Sequence, residues 1–433
     1  MSDSRGPSQE GPLAEKRMND RLLMLADEVE QEITGVCREI EKTAFFNHQK
    51  VLAAFHEQRV SEAHFRGTTG YGYGDLGREV LERVWARIFG AESALVRLQI
   101  VSGTHALAVG LFGLCRPGDE LVAVGKPYDT LERVIGIREA PGSLAEMGVS
   151  YRQVDLSPDG EPDPEGLLAA LGPRTRVILL QRSRGYEWRS PLHLEAMARL
   201  IDAVKLRFPR VCVVVDNCYG EFVETREPCQ VGADLVCGSL IKNPGGGLAP
   251  SGGYLAGSAE CVELAAARLT APGLGRAVGA SLGDLRLLFQ GLYLAPHFVA
   301  EALKGAVFAA RLFERLGYEV RPGFADRRTD IVQAIRLGTA ERVVAFCRGI
   351  QKASPVDAHA VPEPAPLPGY RDGVVMAAGT FVQGASLELS ADAPLREPFA
   401  VYLQGGFSRE YVKLGVLAAA RELEASGGPS ISR

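Results

Sequence analysis

An acid and a lysine, Asp216 and Lys242, each close an apolar run within the stretch Val211 to Gly253. The first run, Val211 to Val215, is too apolar and β-branched for a half-exposed strand. It reads as a buried parallel strand whose carboxyl end delivers Asp216 to a crevice, the place where open α/β sheets bind ligands. The second run puts Ser239 three residues before Lys242, then breaks into Asn243, Pro244 and three glycines, which suits a tight loop. A lysine held there is partly desolvated, and desolvation lowers its pKa towards a reactive amine. Taken singly, Asp216 reads equally well as a helix cap and Lys242 as a solvated loop lysine.

The elements that must position this pair come earlier in the chain. Ser93 to Val101 is an apolar run ending in Ser102-Gly103-Thr104-His105-Ala106, with a helical ALAVGLFGL behind it. Ser102 suits an N-cap, and the amides of Gly103 and Thr104 would leave the helix start where the dipole favours an anion. A strand at Leu121 to Val124 leads to Tyr128, an aromatic placed to stack on a flat ring. Val177 to Leu180 delivers a loop from Gln181 to Tyr186. Four successive strands therefore end in polar groups, and crossovers of one hand leave those ends on one side of the sheet.

Further out, Met18 to about Phe46 carries apolar residues at helical spacing and reads as an amphipathic arm that packs on a neighbouring subunit, with residues 1–16 disordered before it. His64 to Glu79 is a glycine-rich loop bearing Tyr71 and Tyr73. A helical stretch from about 277 to 316 is expected to break at Pro296, and short strands and helices follow from Tyr318. The expected units are a tail and helical arm at 1–60, a large α/β domain at 61–295 with a mostly parallel sheet and helices on both faces, and a smaller α+β domain at 296–433. Arg396 and Arg409, on the last unit, are candidates for binding a carboxylate.

With 433 residues, 46% hydrophobic, and 48 basic against 53 acidic side chains, the composition gives no sign of a nucleic-acid or anionic-membrane partner. No run reaches the roughly 18 apolar residues of a membrane span, and the first 16 residues lack the apolar centre of a signal peptide, so a cytoplasmic protein is expected. Eight cysteines without a CxxC pair read as buried small hydrophobes, and seven histidines without HExxH give no support for a metal site.

Asp216 and Lys242 in this setting resemble the pair found in fold-type I pyridoxal-phosphate enzymes, where an aspartate meets the pyridine nitrogen and a lysine forms the Schiff base. More narrowly, HFRGTTGYGYGD, SGTHA, QRSRGY, VVVDNCYGEF, GSLIKNPGGGLAPSGGY, RLTAPGLG, QGLYLAP and LREPFAVYLQGG make the chain similar to the methionine γ-lyase-like family, also called aluminium resistance proteins and related to cystathionine lyases. The resemblance implies pyridoxal 5'-phosphate at the subunit interface of a homodimer or homotetramer. It also implies Lys242 as the Schiff-base residue, Asp216 as the ring-nitrogen partner and Tyr128 as the stacking residue. Ser102, Gly103, Thr104 and Ser239 would hold the phosphate, and Tyr73 would reach in from the neighbouring subunit. Arg182, Arg396, Arg409 and Tyr71 are the candidates for the substrate. The related lyases carry a phosphate-binding arginine two residues after that tyrosine; this chain has Asp75, leaving Arg78, Arg66 or the helix dipole to meet the charge. Ile241 replaces the usual threonine before the lysine. The implied activity is a carbon-sulfur lyase acting on a sulfur amino acid, of methionine γ-lyase or cystathionine β-lyase type. An aminotransferase or amino-acid aldolase, and a regulator that binds the cofactor without turnover, are the alternatives.

Overall fold

The computed structural model describes residues 10–157 and 160–427, with residues 10–19 described by their backbone only. The expectation of disorder at the start lies outside the described residues for 1–9, whereas 10–16 are helical. Seven strands build the larger sheet: β1 (Ser93–Arg97), β2 (Glu120–Val124), β3 (Ser150–Val154), β4 (Thr175–Gln181), β5 (Cys212–Asp216), β6 (Leu235–Ser239) and β7 (Gly253–Gly257). Their order is β1-β7-β6-β5-β4-β2-β3, and only β7 runs against its neighbours. The apolar runs in β1, β2, β5, β6 and β7 are buried along their whole length, as a sheet covered on both faces requires. Five antiparallel strands form the smaller sheet in the order β10-β11-β12-β9-β8: β8 (Glu319–Arg321), β9 (Gln333–Arg336), β10 (Val374–Ala377), β11 (Ser390–Pro394) and β12 (Ala400–Gln404). This is the fold-type I α/β architecture expected from the sequence.

The helices are α1 (Glu10–Glu32), α2 (Thr34–Glu57), α3 (Leu76–Phe89), α4 (Gly103–Leu114), α5 (Asp129–Ile135), α6 (Pro164–Ala170), α7 (Leu194–Arg207), α8 (Ala259–Leu269), α9 (Arg286–Arg315), α10 (Ala340–Lys352) and α11 (Arg409–Ala425). The amphipathic arm is two helices with one apolar face buried against its own chain, while Leu23, Met24, Phe45, Phe46 and Leu52 stay exposed. Leu22, Leu25, Val29, Ile33 and Cys37 join the core of Phe308, Leu312 and Phe313 on α9, while Glu28 and Glu32 pair with Arg315, and Glu32 also with Arg311. The helix expected to break at Pro296 runs unbroken for 30 residues. Burial overrides the proline's helix-breaking tendency: residues to Leu303 pack into the large-sheet core, and Val307 onward into the small-sheet core. The expected division at residue 296 thus falls inside one continuous helix.

That helix also fixes the lysine loop. Gly291 on α9 lies against Gly245 and Gly246 so closely that a Cβ on Gly291 would sit 2.1 Å from the Gly245 carbonyl oxygen. Glycine on both sides lets two backbones meet where any side chain would hold them apart. No described helix is long and apolar enough to cross a membrane.

Candidate active site

The carboxyl ends of β2, β4, β5 and β6, with the start of α4, open onto a cavity of about 240 Å³. Ser102, Gly103, Thr104, Tyr128, Asp216, Ser239 and Lys242 all line it. Ser102 caps α4 by accepting the His105 amide at 3.1 Å, so the helix begins at the cavity wall. A Cβ on Gly103 would meet the Cys218 sulfur at 2.9 Å, so only glycine lets the helix start this close to the floor. Thr104 Oγ1 and the Tyr128 hydroxyl are 3.0 Å apart, which fixes the tyrosine ring at the start of α5. The Ser239 hydroxyl is buried and has no hydrogen-bond partner within the chain.

Asp216 is buried, and burial pushes its carboxyl up to about 6 against the pull of the Cys218 amide, which donates to Oδ1 at 3.1 Å. Lys242 donates from Nζ to the Gly384 carbonyl at 3.0 Å and lies 4.7 Å from the centre of the Tyr219 ring. Burial alone would lower its pKa, as the sequence suggested. Tyr219, Cys218 and Asp392 outweigh that and hold the ammonium above its ordinary range. Tyr219 is held in the left-handed region, at a φ of 72°, a conformation uncommon outside glycine and asparagine that sets its ring beside the lysine.

The arginines behave differently from expectation. Arg182 is fully buried and bonded to Asn217, Thr329, Glu224 and Glu227, at 2.8 to 3.4 Å, on the side away from the cavity. Its backbone position in the Gln181 loop suggested the cavity; four partners turn it elsewhere. Arg396 pairs with Asp372 at 3.1 Å and Glu187 at 3.4 Å, and Arg409 begins α11 beside Glu410. None of the three lines the cavity, where Lys242 is the only cation among the described lining residues. Asp75 is an N-cap: it accepts the Arg78 amide and the hydroxyls of Thr68 and Ser281, pinning the glycine loop. Arg78 is equally occupied, donating to the carbonyls of Gly72, Ala277 and Gly279, so it is not available to a phosphate. Arg66 lies in a separate surface recess with Glu62, Asp284 and Arg286. Tyr71 and Tyr73 lean on each other, 74% and 63% exposed, and neither reaches the cavity of its own chain.

A model of the methionine gamma-lyase family matches residues 22–424. The chain belongs to that family. Among relatives of this methionine gamma-lyase family member, the uncharacterized protein YnbB of Bacillus subtilis (strain 168) is 50% identical over 401 residues, 92% of this chain and 95% of YnbB. The crystal structure of a carbon-sulfur lyase involved in aluminum resistance from Clostridium novyi NT superposes with a TM-score of 0.90 at 46% identity, covering 96% of this chain and all of that one. At 20% identity and a TM-score of 0.58, the pyridoxal-5'-phosphate dependent protein YhfS of Escherichia coli shares the fold over 90% of this chain and 97% of its own.

Several lining residues were not singled out from the sequence. Cys218 and Tyr219 stand two and three positions after Asp216, and Tyr186 closes the Gln181 loop, so proximity to a strand end was the available signal. Tyr370 and Gly384 come from the small domain, and nothing local marks them. Among the described residues no cluster of three or more His, Cys, Asp or Glu side chains is set to hold a metal.

Proposed function

We propose that this family member is a pyridoxal-phosphate-dependent carbon-sulfur lyase that eliminates a thiol from a small sulfur amino acid. The observation that carries this reading is the meeting of Lys242, Asp216, Tyr128 and a helix start rich in hydroxyls in one cavity of a family-matched chain. The residues fit the cofactor. The unpartnered Ser239 hydroxyl, the Thr104 hydroxyl and the amides at the start of α4 suit a phosphate. A buried Asp216 with a single amide donor suits a protonated ring nitrogen, and Tyr128 suits the ring face. When bound, the cofactor supplies an electron sink that makes the substrate's α-proton acidic.

The chain's own residues supply the rest. Lys242, the only amine among the described lining residues, would take the proton from the substrate's Cα. Asp216 keeps the ring nitrogen protonated, and the buried site strengthens that pairing. Tyr71 and Tyr73 are exposed and stand clear of their own chain's cavity, which supports a reading in which they complete the cavity of a second copy.

The test is incubation of the purified protein with pyridoxal phosphate and an S-alkylcysteine or methionine, with oxoacid and thiol measured together. Equal release of both supports the lyase. Amino transfer to an added oxoacid without thiol release would move the protein to the aminotransferases, and neither product would leave a cofactor-binding regulator. Lys242→Ala is expected to abolish the visible absorption band that forms on adding pyridoxal phosphate; an unchanged band would place the reactive amine elsewhere.

A further inference from the structure

Elimination needs two proton movements, one off Cα and one onto the departing sulfur. Lys242 accounts for the first. On the small-domain side of the cavity, Tyr186 lines the wall and its hydroxyl is 3.0 Å from Oδ2 of Asp392 on β11. Gln404 on β12 donates to the same oxygen at 3.0 Å and sets the carboxyl's orientation, while Oδ1 is buried with no partner. Asp392 is only 6% exposed. A buried carboxylate with a bare oxygen is costly, and carrying a proton removes most of that cost.

We propose, building on the lyase reading, that Tyr186 gives its proton to the leaving thiolate and that Asp392 is the positioning residue that replaces it. The proton balance closes. As the Cα–H electron pair becomes the Cα–Cβ double bond, the Cβ–S pair leaves with sulfur. The Tyr186 O–H bond breaks and S–H forms, while the Asp392 carboxyl passes its proton to the phenol oxygen. Asp392 is left as a carboxylate and regains a proton from water once the thiol departs. The surroundings agree with a donor role. Burial raises both Tyr186 and Asp392 above their ordinary ranges, so both hold protons readily. The charged and titratable groups around Asp392 are Tyr186, Tyr219 and Tyr370 at the cavity, Lys242, Tyr402 paired across from it on β12, and Cys347 on α10; burial outweighs Lys242 and the Tyr186 and Gln404 hydrogen bonds, which favour the carboxylate. Among the described lining residues there is no arginine, and Tyr186 is the lining phenol backed by a carboxyl of the small domain.

The experiment compares two substrates of the holoenzyme. S-ethylcysteine loses a thiolate that must be protonated; β-chloroalanine loses chloride, which needs no proton. Asp392→Asn and Tyr186→Phe are expected to lower the ratio of kcat/KM for S-ethylcysteine to that for β-chloroalanine by about a hundredfold, the usual scale of general-acid help. Asp392→Glu, which restores a proton, is expected to recover part of that ratio. An unchanged ratio in both variants overturns the proposal, and reduces Asp392 to a structural acid. If Asp392→Asn does not take up pyridoxal phosphate, Tyr186→Phe, which leaves the carboxyl in place, carries the comparison. Failure of the lyase reading is seen separately, as wild-type protein that eliminates neither substrate.

Discussion

Glu221 is a buried carboxyl whose protonation should give the folded chain a measurable pH slope in stability. Its carboxyl is fully buried, accepts from the Tyr254 hydroxyl at 2.8 Å and leaves its second oxygen without a partner. Burial, with repulsion from Glu227, pushes it from 4.5 up to about 8. A carboxyl whose pKa is higher in the folded chain than in the unfolded one binds a proton on folding. Its contribution to stability is therefore intact below the unfolded value, 4.5, and is lost as pH rises towards the folded value, about 8. Each unit of that window is worth roughly 1.4 kcal/mol. Glu221→Gln replaces the titrating group with a neutral amide of the same size, so its stability does not carry this slope. The difference between the two proteins should grow in favour of the variant by about 3 kcal/mol from about pH 5.5 to about pH 8. Urea unfolding at several pH values, both proteins at one concentration, measures it. Every other titrating group is common to both proteins and cancels in the difference. Parallel stability-pH curves would refute the reasoning, because Glu221 would then have to be ionised in the folded chain. The side chain of Asn243 donates to the backbone carbonyl of Glu221, not to its carboxyl, so the lysine loop is expected to keep its shape in the variant.

Two further expectations follow from the packing. Gly291→Ala would set a Cβ against the Gly245 carbonyl at 2.1 Å; the repacking is expected to cost about 1–3 kcal/mol and to weaken pyridoxal-phosphate uptake by displacing the lysine loop, and wild-type uptake measured by absorbance titration would show that α9 does not brace that loop. Arg182→Met leaves Glu224 and Glu227 facing a thioether, so a stability loss of about 3–5 kcal/mol is expected in denaturant unfolding; a rise in KM with stability unchanged would instead return Arg182 to the substrate.

The parts of the site legible in the sequence are those set by strand ends. Asp216, Ser239 and Lys242 follow buried apolar runs, and Ser102 to Thr104 and Tyr128 stand where a strand gives way to a helix. The direction of a parallel strand fixes which end is polar and exposed to a ligand, so residue order alone carries that information. Helix ends were less legible. Pro296 marks a break by local propensity, but a helix gripped by two cores tolerates it.

Arginine was the residue least readable from sequence, and the reason is chemical. A guanidinium has five donors and no acceptor, and buried backbone carbonyls and carboxylates satisfy it as well as a ligand does. Arg78 binds three carbonyls, Arg182 binds four side chains, and Arg396 binds two acids. A strand end therefore places the backbone of Arg182 but cannot choose the direction of a long side chain, which is decided by acids distant in sequence such as Glu224 and Glu227. The same reasoning exposes Asp392. Nothing near it in the chain marks it, and only the pairing of β11 with β12, together with the Gln181 loop, brings Gln404 and Tyr186 to one carboxyl. Short side chains at strand ends are thus placed by the sheet, whereas long cations and the small-domain wall are placed by contacts that only the folded chain creates.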